Sequence, residues 1–316
     1  MKNRFFRSLI SGVIISLFIT ATFPGNATAE DRKLRKIFSG WMTDYSTYGD
    51  TTKGHIQAMD YVVAHAEMFD QILPFWYTVT SATSIKDKYI TQNSIDKSIP
   101  IATLQSLGIK VLPTITDGTA EGALSKIMGN DASRATLIKT ITTLVATNNF
   151  DGIDLNFEGF AYVDKIATWP TIQQRWVKFV IELSAALHSN NKLLSVTTPY
   201  LLDPTTGKKG YYQYAWPEIS NYIDRLNIMF YDYHKYDTKP GPIGPISWFE
   251  PSLIYALKSV SPWKIYLGTP NYGYNWVTKV TGLCPTNAPN SEKKSSNAAI
   301  VHQLRAQAIL DKPGAC

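Results

Sequence analysis

Asp151, Asp154, Asn156 and Glu158 fall within the run Asp-Gly-Ile-Asp-Leu-Asn-Phe-Glu, where apolar Ile153, Leu155 and Phe157 alternate with polar Asp154, Asn156 and Glu158. A period of two is the pattern of a β-strand, whose successive side chains point to opposite faces. Asp154, Asn156 and Glu158 therefore share one face, spaced roughly 7 Å apart, with a carboxylate at the end of the row. Burial beside a second carboxylate, here Asp154 beneath it, pushes a Glu pKa upward. A general acid working near neutral pH needs that shift.

The elements around this strand decide whether its polar face is wet or buried. Strands are expected at Lys36 to Thr43, Gln71 to Tyr77, Lys110 to Thr116, Phe150 to Glu158, Leu193 to Thr198, Arg225 to Tyr231 and Lys264 to Pro270. Helices are expected between them, at Gly54 to Ala66, Ala132 to Thr147, Ile172 to His188 and Pro251 to Val260. Strand and helix in repeated alternation imply parallel strands joined by right-handed crossovers, with helices covering the sheet. Such strands normally read as continuous apolar runs. Three polar groups stacked inside one would each cost a few kcal/mol unless paired or used.

The expected fold class is α/β, a (β/α)8 TIM barrel. A doubly wound open sheet would want a Gly-rich phosphate turn, which the sequence lacks. In a barrel the active site lies at the carboxyl ends of the strands. Glu158 ends the fourth strand and Tyr231-Asp232-Tyr233-His234 ends the sixth, so both clusters meet at one mouth. Trp41 lies on the first strand, Trp76 at the mouth end of the second and Trp276 after the seventh; with Tyr274 they are candidates to stack on a ligand, core packing being the alternative for Trp41 and Trp76. No eighth strand is evident: beyond Trp276 the chain offers a loop and a helix-like stretch from Asn297 to Leu310. The barrel is thus incomplete at its carboxy terminus, or its last strand has no recognisable pattern.

Lys2, Arg4 and Arg7 precede an apolar run from Leu9 to Phe23 and then Ala27-Thr28-Ala29. This reads as a secretory signal peptide over residues 1–29, leaving a mature catalytic domain at 30–316 that is secreted or held in the cell envelope, with no membrane span of its own. Removing three of the 31 Lys and Arg residues leaves 28 against 25 Asp and Glu, a net +3, so most of the apparent basicity belongs to the leader. Lys208-Lys209 and Lys293-Lys294 are isolated pairs rather than a basic stripe, which argues against a nucleic-acid partner. Export would permit a disulfide between Cys284 and Cys316, whose meeting sequence alone leaves open. No Cys/His cluster has metal-ligand spacing, so neither a metal nor another cofactor is expected. No feature fixes an oligomeric state.

The run from Asp151 to Glu158 resembles the DGxDxDxE signature of glycoside hydrolase family 18, the chitinases and endo-β-N-acetylglucosaminidases. Met229-Phe230-Tyr231-Asp232 is similar to that family's sixth-strand MxYD motif. Pro240-Gly241-Pro242-Ile243 and the stretch from Leu267 to Tyr274 resemble the bacterial branch acting on peptidoglycan or spore cortex. The resemblance covers Lys36 to Trp276. It implies a glycosidase acting on N-acetylglucosamine-containing polysaccharide, with Glu158 as acid and then base and the substrate's N-acetyl oxygen as nucleophile. Tyr231 would hold that carbonyl, Asp232 would shape the subsite of the cleaved sugar, and Asp151 and Asp154 would support the site from below, Asp151 being counted with Asp232 among the residues that bind substrate.

Asn156 departs from the pattern, which has Asp there. Asn accepts a hydrogen bond through its carbonyl oxygen but brings no charge to offset a developing cation, and loss of one such partner commonly costs about 10²-fold in rate. Two readings follow from the residues: a hydrolase, and a chitinase-like lectin that binds glycan with weakened chemistry.

Overall fold

Proline and apolar content divide the barrel wall into two sheets. The computed structural model describes residues 36–42, 58–88, 98–235, 238–275 and 299–302; the expected signal peptide, Trp276, Cys284 and Cys316 lie outside them. Strands β1 (Ser39–Met42), β2 (Gln71–Pro74) and β5 (Lys110–Val111) form a three-stranded parallel sheet. The same wall continues as β3 (Tyr77–Ser81) and β6 (Thr114–Asp117), after breaks at Phe75-Trp76 and Leu112-Pro113. Pro74 and Pro113 have no N–H to give a ladder, so each break falls where a proline leaves the pairing short of a donor.

Beyond them the order runs through β7 (Gly152–Asn156), β8 (Leu193–Thr198), β9 (Arg225–Met229) and β10 (Ile265–Gly268), all parallel. Taken with their continuations, the described residues hold seven parallel strands in chain order around the wall, in the manner of a TIM barrel. Every expected strand is present, the fifth with its expected limits. Curvature brings distant strands together inside: Arg225 Nε donates to Gln71 Oε1 at 3.3 Å, and Gln71 Nε2 donates to Ser39 Oγ at 3.1 Å.

Two pieces depart from expectation. The second strand does not run unbroken to Tyr77; β3 instead turns into β4 (Ser84–Asp87), an antiparallel hairpin on the sheet edge. Ala299–His302, within the stretch expected to be helical, forms a strand β12 paired antiparallel with β11 (Tyr272–Asn275). Ile300 and Val301 are β-branched, and an available strand partner overrides the weak helical period.

Helix packing aims the site. The helix Trp169–His188 buries Trp176, Phe179, Val180, Leu183 and Leu187 along one face. Phe157 inserts there, its ring 6.0 Å from Trp176 and 6.3 Å from Phe179. With Phe157 anchored on the helix side, the alternation of the chain turns its neighbours Asn156 and Glu158 toward the barrel axis.

Candidate active site

The polar row of β7 sits at three depths. Asp151 precedes the strand, at the end opposite Glu158; its carboxylate accepts from the Val111 N–H at 2.8 Å and the Gln105 amide at 3.0 Å. It ties β5 to β7 at the barrel floor and does not reach a substrate at the mouth, which corrects the expectation that it contacts ligand.

Asp154 is wholly buried and accepts from Thr114, Ser195, Thr197 and Asn227, at distances from 2.8 to 3.1 Å. These donors come from β6, β8 and β9, so one carboxylate joins four strands. Burial pushes its pKa up and the four donors pull it back. Asn227 also donates to Ser195 at 2.8 Å and Thr197 at 3.1 Å, closing the network. Ser195 and Thr197 alternate on β8, and Asn227 interrupts the otherwise apolar Leu226, Ile228 and Met229. Those signals were available in the sequence.

Two residues further along β7, the Asn156 amide donates to Glu158 Oε1 at 2.8 Å. Asn156 Oδ1 is buried and has no hydrogen-bond partner among the described residues. Glu158 is half-buried, and its pKa is raised chiefly by that burial, opposed by the Asn156 donation and reinforced by the charge of Asp232. The expected role of Asp154 is corrected here: its carboxylate is engaged by its own four donors, and the charge acting on Glu158 is that of Asp232.

Tyr231 and Asp232 follow β9. Burial, then the charges of Glu158 and Asp232, drive the Tyr231 pKa far up, so its hydroxyl stays a donor. Trp41 meets its ring edge-on at 6.1 Å and Tyr272 at 6.3 Å. Asp232 adopts a left-handed backbone, φ 61°, and accepts from Tyr272 at 2.5 Å and Tyr274 at 3.0 Å. A non-glycine residue held there marks a constrained loop. Gly268 is required opposite: a Cβ on it would lie 2.8 Å from both the Trp41 ring and the Ile228 carbonyl.

A buried row of polar groups ending in a shielded carboxyl, faced by a tyrosine hydroxyl, is a site for acid chemistry on a bond to oxygen. The sequence profile of glycosyl hydrolases family 18 matches residues 38–308. The chain belongs to glycosyl hydrolases family 18. Similar proteins include the Arabidopsis thaliana class V chitinase, 24% identical over 213 residues, 63% of this chain and 52% of that protein. The Bacillus subtilis protein YdhD, whose name provisionally assigns it as a sporulation-specific glycosylase, is 24% identical over 226 residues, 69% of this chain and 51% of its own length. The chain thus spans about half the length of these two relatives. Among solved structures, the chitinase of Chromobacterium violaceum superposes with a TM-score of 0.65 at 19% identity, covering 87% of this chain and 76% of that one. The spore cortex-lytic enzyme SleL of Bacillus cereus gives 0.65 at 16% identity, covering 87% and 57%. These likenesses confirm the TIM-barrel fold.

Within this family 18 barrel, the structure gathers Asn156, Glu158, Tyr231, Asp232 and Tyr274 at one mouth and sets Asp154 beneath them. Trp76 is corrected: it is 1% exposed, with its ring 6.3 Å from Phe150 in the core, because the chain breaks at Pro74 and turns it inward. Tyr272, not singled out beforehand, makes the shorter bond to Asp232. His234 packs on Tyr233 at 4.8 Å and leaves no room for a side chain on Gly241. Among the described residues no group of three or more His, Cys, Asp or Glu is placed to hold a metal ion, and no helix is long and apolar enough to cross a membrane.

Proposed function

We propose that this family 18 protein is an exported glycoside hydrolase that cleaves β-1,4-linked N-acetylglucosamine-containing polysaccharide, of the chitin or peptidoglycan type, with retention through the substrate's own acetamide. The observation that carries the reading is the unpartnered, buried Asn156 Oδ1 beside Glu158. A buried acceptor left open costs stability unless a ligand donor fills it. An acetamide N–H is such a donor, and its carbonyl oxygen then faces the sugar's anomeric carbon.

In the first step Glu158 gives its proton to the glycosidic oxygen as the acetamide oxygen forms a bond to the anomeric carbon and the leaving sugar departs. Asn156 holds one oxygen of Glu158, leaving the other to carry the proton. Tyr231 donates to the acetamide oxygen and positions it for attack. In the second step Glu158, now ionised, takes a proton from water, which opens the cyclic intermediate. The nucleophile comes from substrate and the proton from Glu158, so the cycle balances with no metal or cofactor. Basic Lys2, Arg4 and Arg7 ahead of an apolar run support export to the cell envelope or beyond.

A second reading, glycan binding without useful turnover, rests on Asn156 alone, which supplies no charge to the intermediate. Hydrolysis of N-acetylglucosamine oligomers and of peptidoglycan by the wild type and Glu158→Gln separates the two. The hydrolase reading expects turnover that falls by about 10²-fold or more in Glu158→Gln while binding persists. Binding without wild-type turnover of either polymer would favour the lectin, and turnover unchanged in Glu158→Gln would remove Glu158 from the role of acid.

A further inference from the structure

A cavity of about 200 Å³ lies among the loop after β8 and the helices Trp169–His188, Trp216–Ile219 and Ile246–Ser259, and no residue of the site described above lines it. Its apolar floor includes Leu201 and Ala215, both buried, and the rings of Tyr212 and Tyr255 stand as walls. Opposite charges flank the opening. Lys209 places its ammonium 5.3 Å from the centre of the Tyr212 ring, and Glu218 accepts from the Gln173 amide at 3.4 Å. Tyr255 stacks on Trp216 with ring centres 6.1 Å apart. Burial raises the Tyr255 pKa, opposed by a Ser259 hydrogen bond and reinforced by the charges of Glu218 and Asp203, so its hydroxyl stays a donor.

We infer that this cavity binds the end of the short peptide carried on the lactyl groups of peptidoglycan, with Lys209 taking its carboxylate and Glu218 its N–H or ammonium groups; the inference rests on the glycan reading of the site and selects peptidoglycan over chitin within it. Charge, size and reach favour that occupant. A chitin chain is uncharged and would use neither Lys209 nor Glu218, whereas a peptide end brings both signs. Drug-sized ligands fill pockets of roughly 300–1,000 Å³, and about 150 Å³ is enough for benzene. The space here therefore suits a dipeptide end with small side chains better than a further stretch of polysaccharide. Three ring contacts separate it from the acid: Tyr162, which feels the charge of Glu158, meets Tyr211 at 5.5 Å, Tyr211 meets Trp169 at 5.8 Å, and Trp169 meets Tyr212 at 5.6 Å. A peptide of about five residues, extended at about 3.3–3.6 Å each, covers that path. The walls are also fixed in advance. A strand-like bridge joins Leu201 to Gly210, the Leu202 N–H bonds the Lys209 carbonyl at 3.3 Å, and Lys258 pairs with Asp203 at 3.1 Å. Walls ordered before the ligand arrives lose little entropy on binding. Ala215 at the floor holds a left-handed backbone, φ 51°, beside Tyr214, whose hydroxyl donates to the Phe157 carbonyl at 2.8 Å. Phe157 immediately precedes Glu158, so the cavity floor and the acid share one frame.

The test measures affinity by calorimetry in a Glu158→Gln background, which spares the ligand from hydrolysis. Three ligands are compared: a peptidoglycan tetrasaccharide bearing its peptides, the same glycan stripped of them by an amidase, and free D-alanyl-D-alanine. The peptide-bearing glycan is expected to bind about tenfold tighter than the stripped one. Lys209→Ala and Glu218→Gln should each cut that ratio by about threefold, the scale of an exposed ion pair. Lys209→Arg keeps the charge and retains most of the ratio. Lys209 and Glu218 are both exposed, so their substitution leaves the core intact. A ratio near one, or one unmoved by either variant, overturns the peptide site while leaving the reading of Glu158 in place. Binding of neither glycan removes the glycan reading and the peptide site with it. Free dipeptide binding that is lost in Lys209→Ala, with both glycans bound alike, overturns the inference by assigning the cavity to a soluble peptide.

Discussion

The Asn156 amide donates to Glu158 across 2.8 Å while its oxygen stays buried and open among the described residues. Donation to a carboxylate favours its ionised form. Asn156 thus works against the burial that keeps Glu158 protonated, whereas an acidic side chain at the same position would work with it. One substitution in the row changes both the charge available to the intermediate and the pH range over which the acid holds its proton.

Asn156→Asp is accordingly expected to raise turnover on an N-acetylglucosamine hexamer by about tenfold or more. It removes a donor and places a like charge beside Glu158, so the Glu158 pKa rises. Activity that needs protonated Glu158 is lost as pH rises through that pKa, so the alkaline limb of the kcat/KM profile should move to higher pH. Slower turnover with an unmoved limb would mean the site is built around the amide.

Asp232→Asn predicts the opposite displacement. The Asp232 charge raises the Glu158 pKa, and removing it lets Glu158 ionise at lower pH, drawing the alkaline limb down. Because Tyr272 and Tyr274 both donate to Asp232, Tyr272→Phe should shift the limb less than Asp232→Asn and mainly raise KM as the loop loosens. A limb displaced upward in Asp232→Asn would show that Asp232 does not act on the acid through its charge.

Much of this was legible in the sequence, and the exceptions have physical causes. Period-two alternation in β7 and the order of strands and helices placed Glu158 and Tyr231 at one mouth, because alternation follows from backbone geometry alone. Asp151 misled because the motif it opens does not say where the strand begins, and it lies one residue before β7. Trp76 misled because Pro74 ends β2 and Tyr77 begins β3, so the residue between them turns into the core. The partner that tunes Glu158 follows another strand, and nothing local ties Asp232 to it. Tyr272 was hidden for the same reason.

Asp154→Ala should destabilise the protein by about 3–5 kcal/mol, read as a lower urea midpoint. The carboxylate is the shared acceptor for Thr114, Ser195, Thr197 and Asn227, and its loss strands several buried donors at once. Thr114→Val removes one donor and should cost about 1 kcal/mol. Equal effects for the two variants would mean the network is bridged by water and is less cooperative than its geometry.

Gly152→Ala tests whether the register of β7 against β8 sets the site. A Cβ on Gly152 would fall 2.2 Å from the Leu193 carbonyl oxygen, which is backbone and has no rotamer to change. The ladder pairs Gly152 with Leu193 and Asp154 with Ser195, so relief requires the two strands to part at their lower end. Overpacking of this kind costs about 1–3 kcal/mol, and parting also lengthens the Ser195 and Thr197 bonds to Asp154. Thermal denaturation should show the loss of stability. Hydrolysis measured well below the new midpoint should fall as well, because Asn156 and Glu158 ride on the displaced strand. Stability lost with activity intact would show that the mouth is held by the helix Trp169–His188 through Phe157, and not by the strand ladder beneath it.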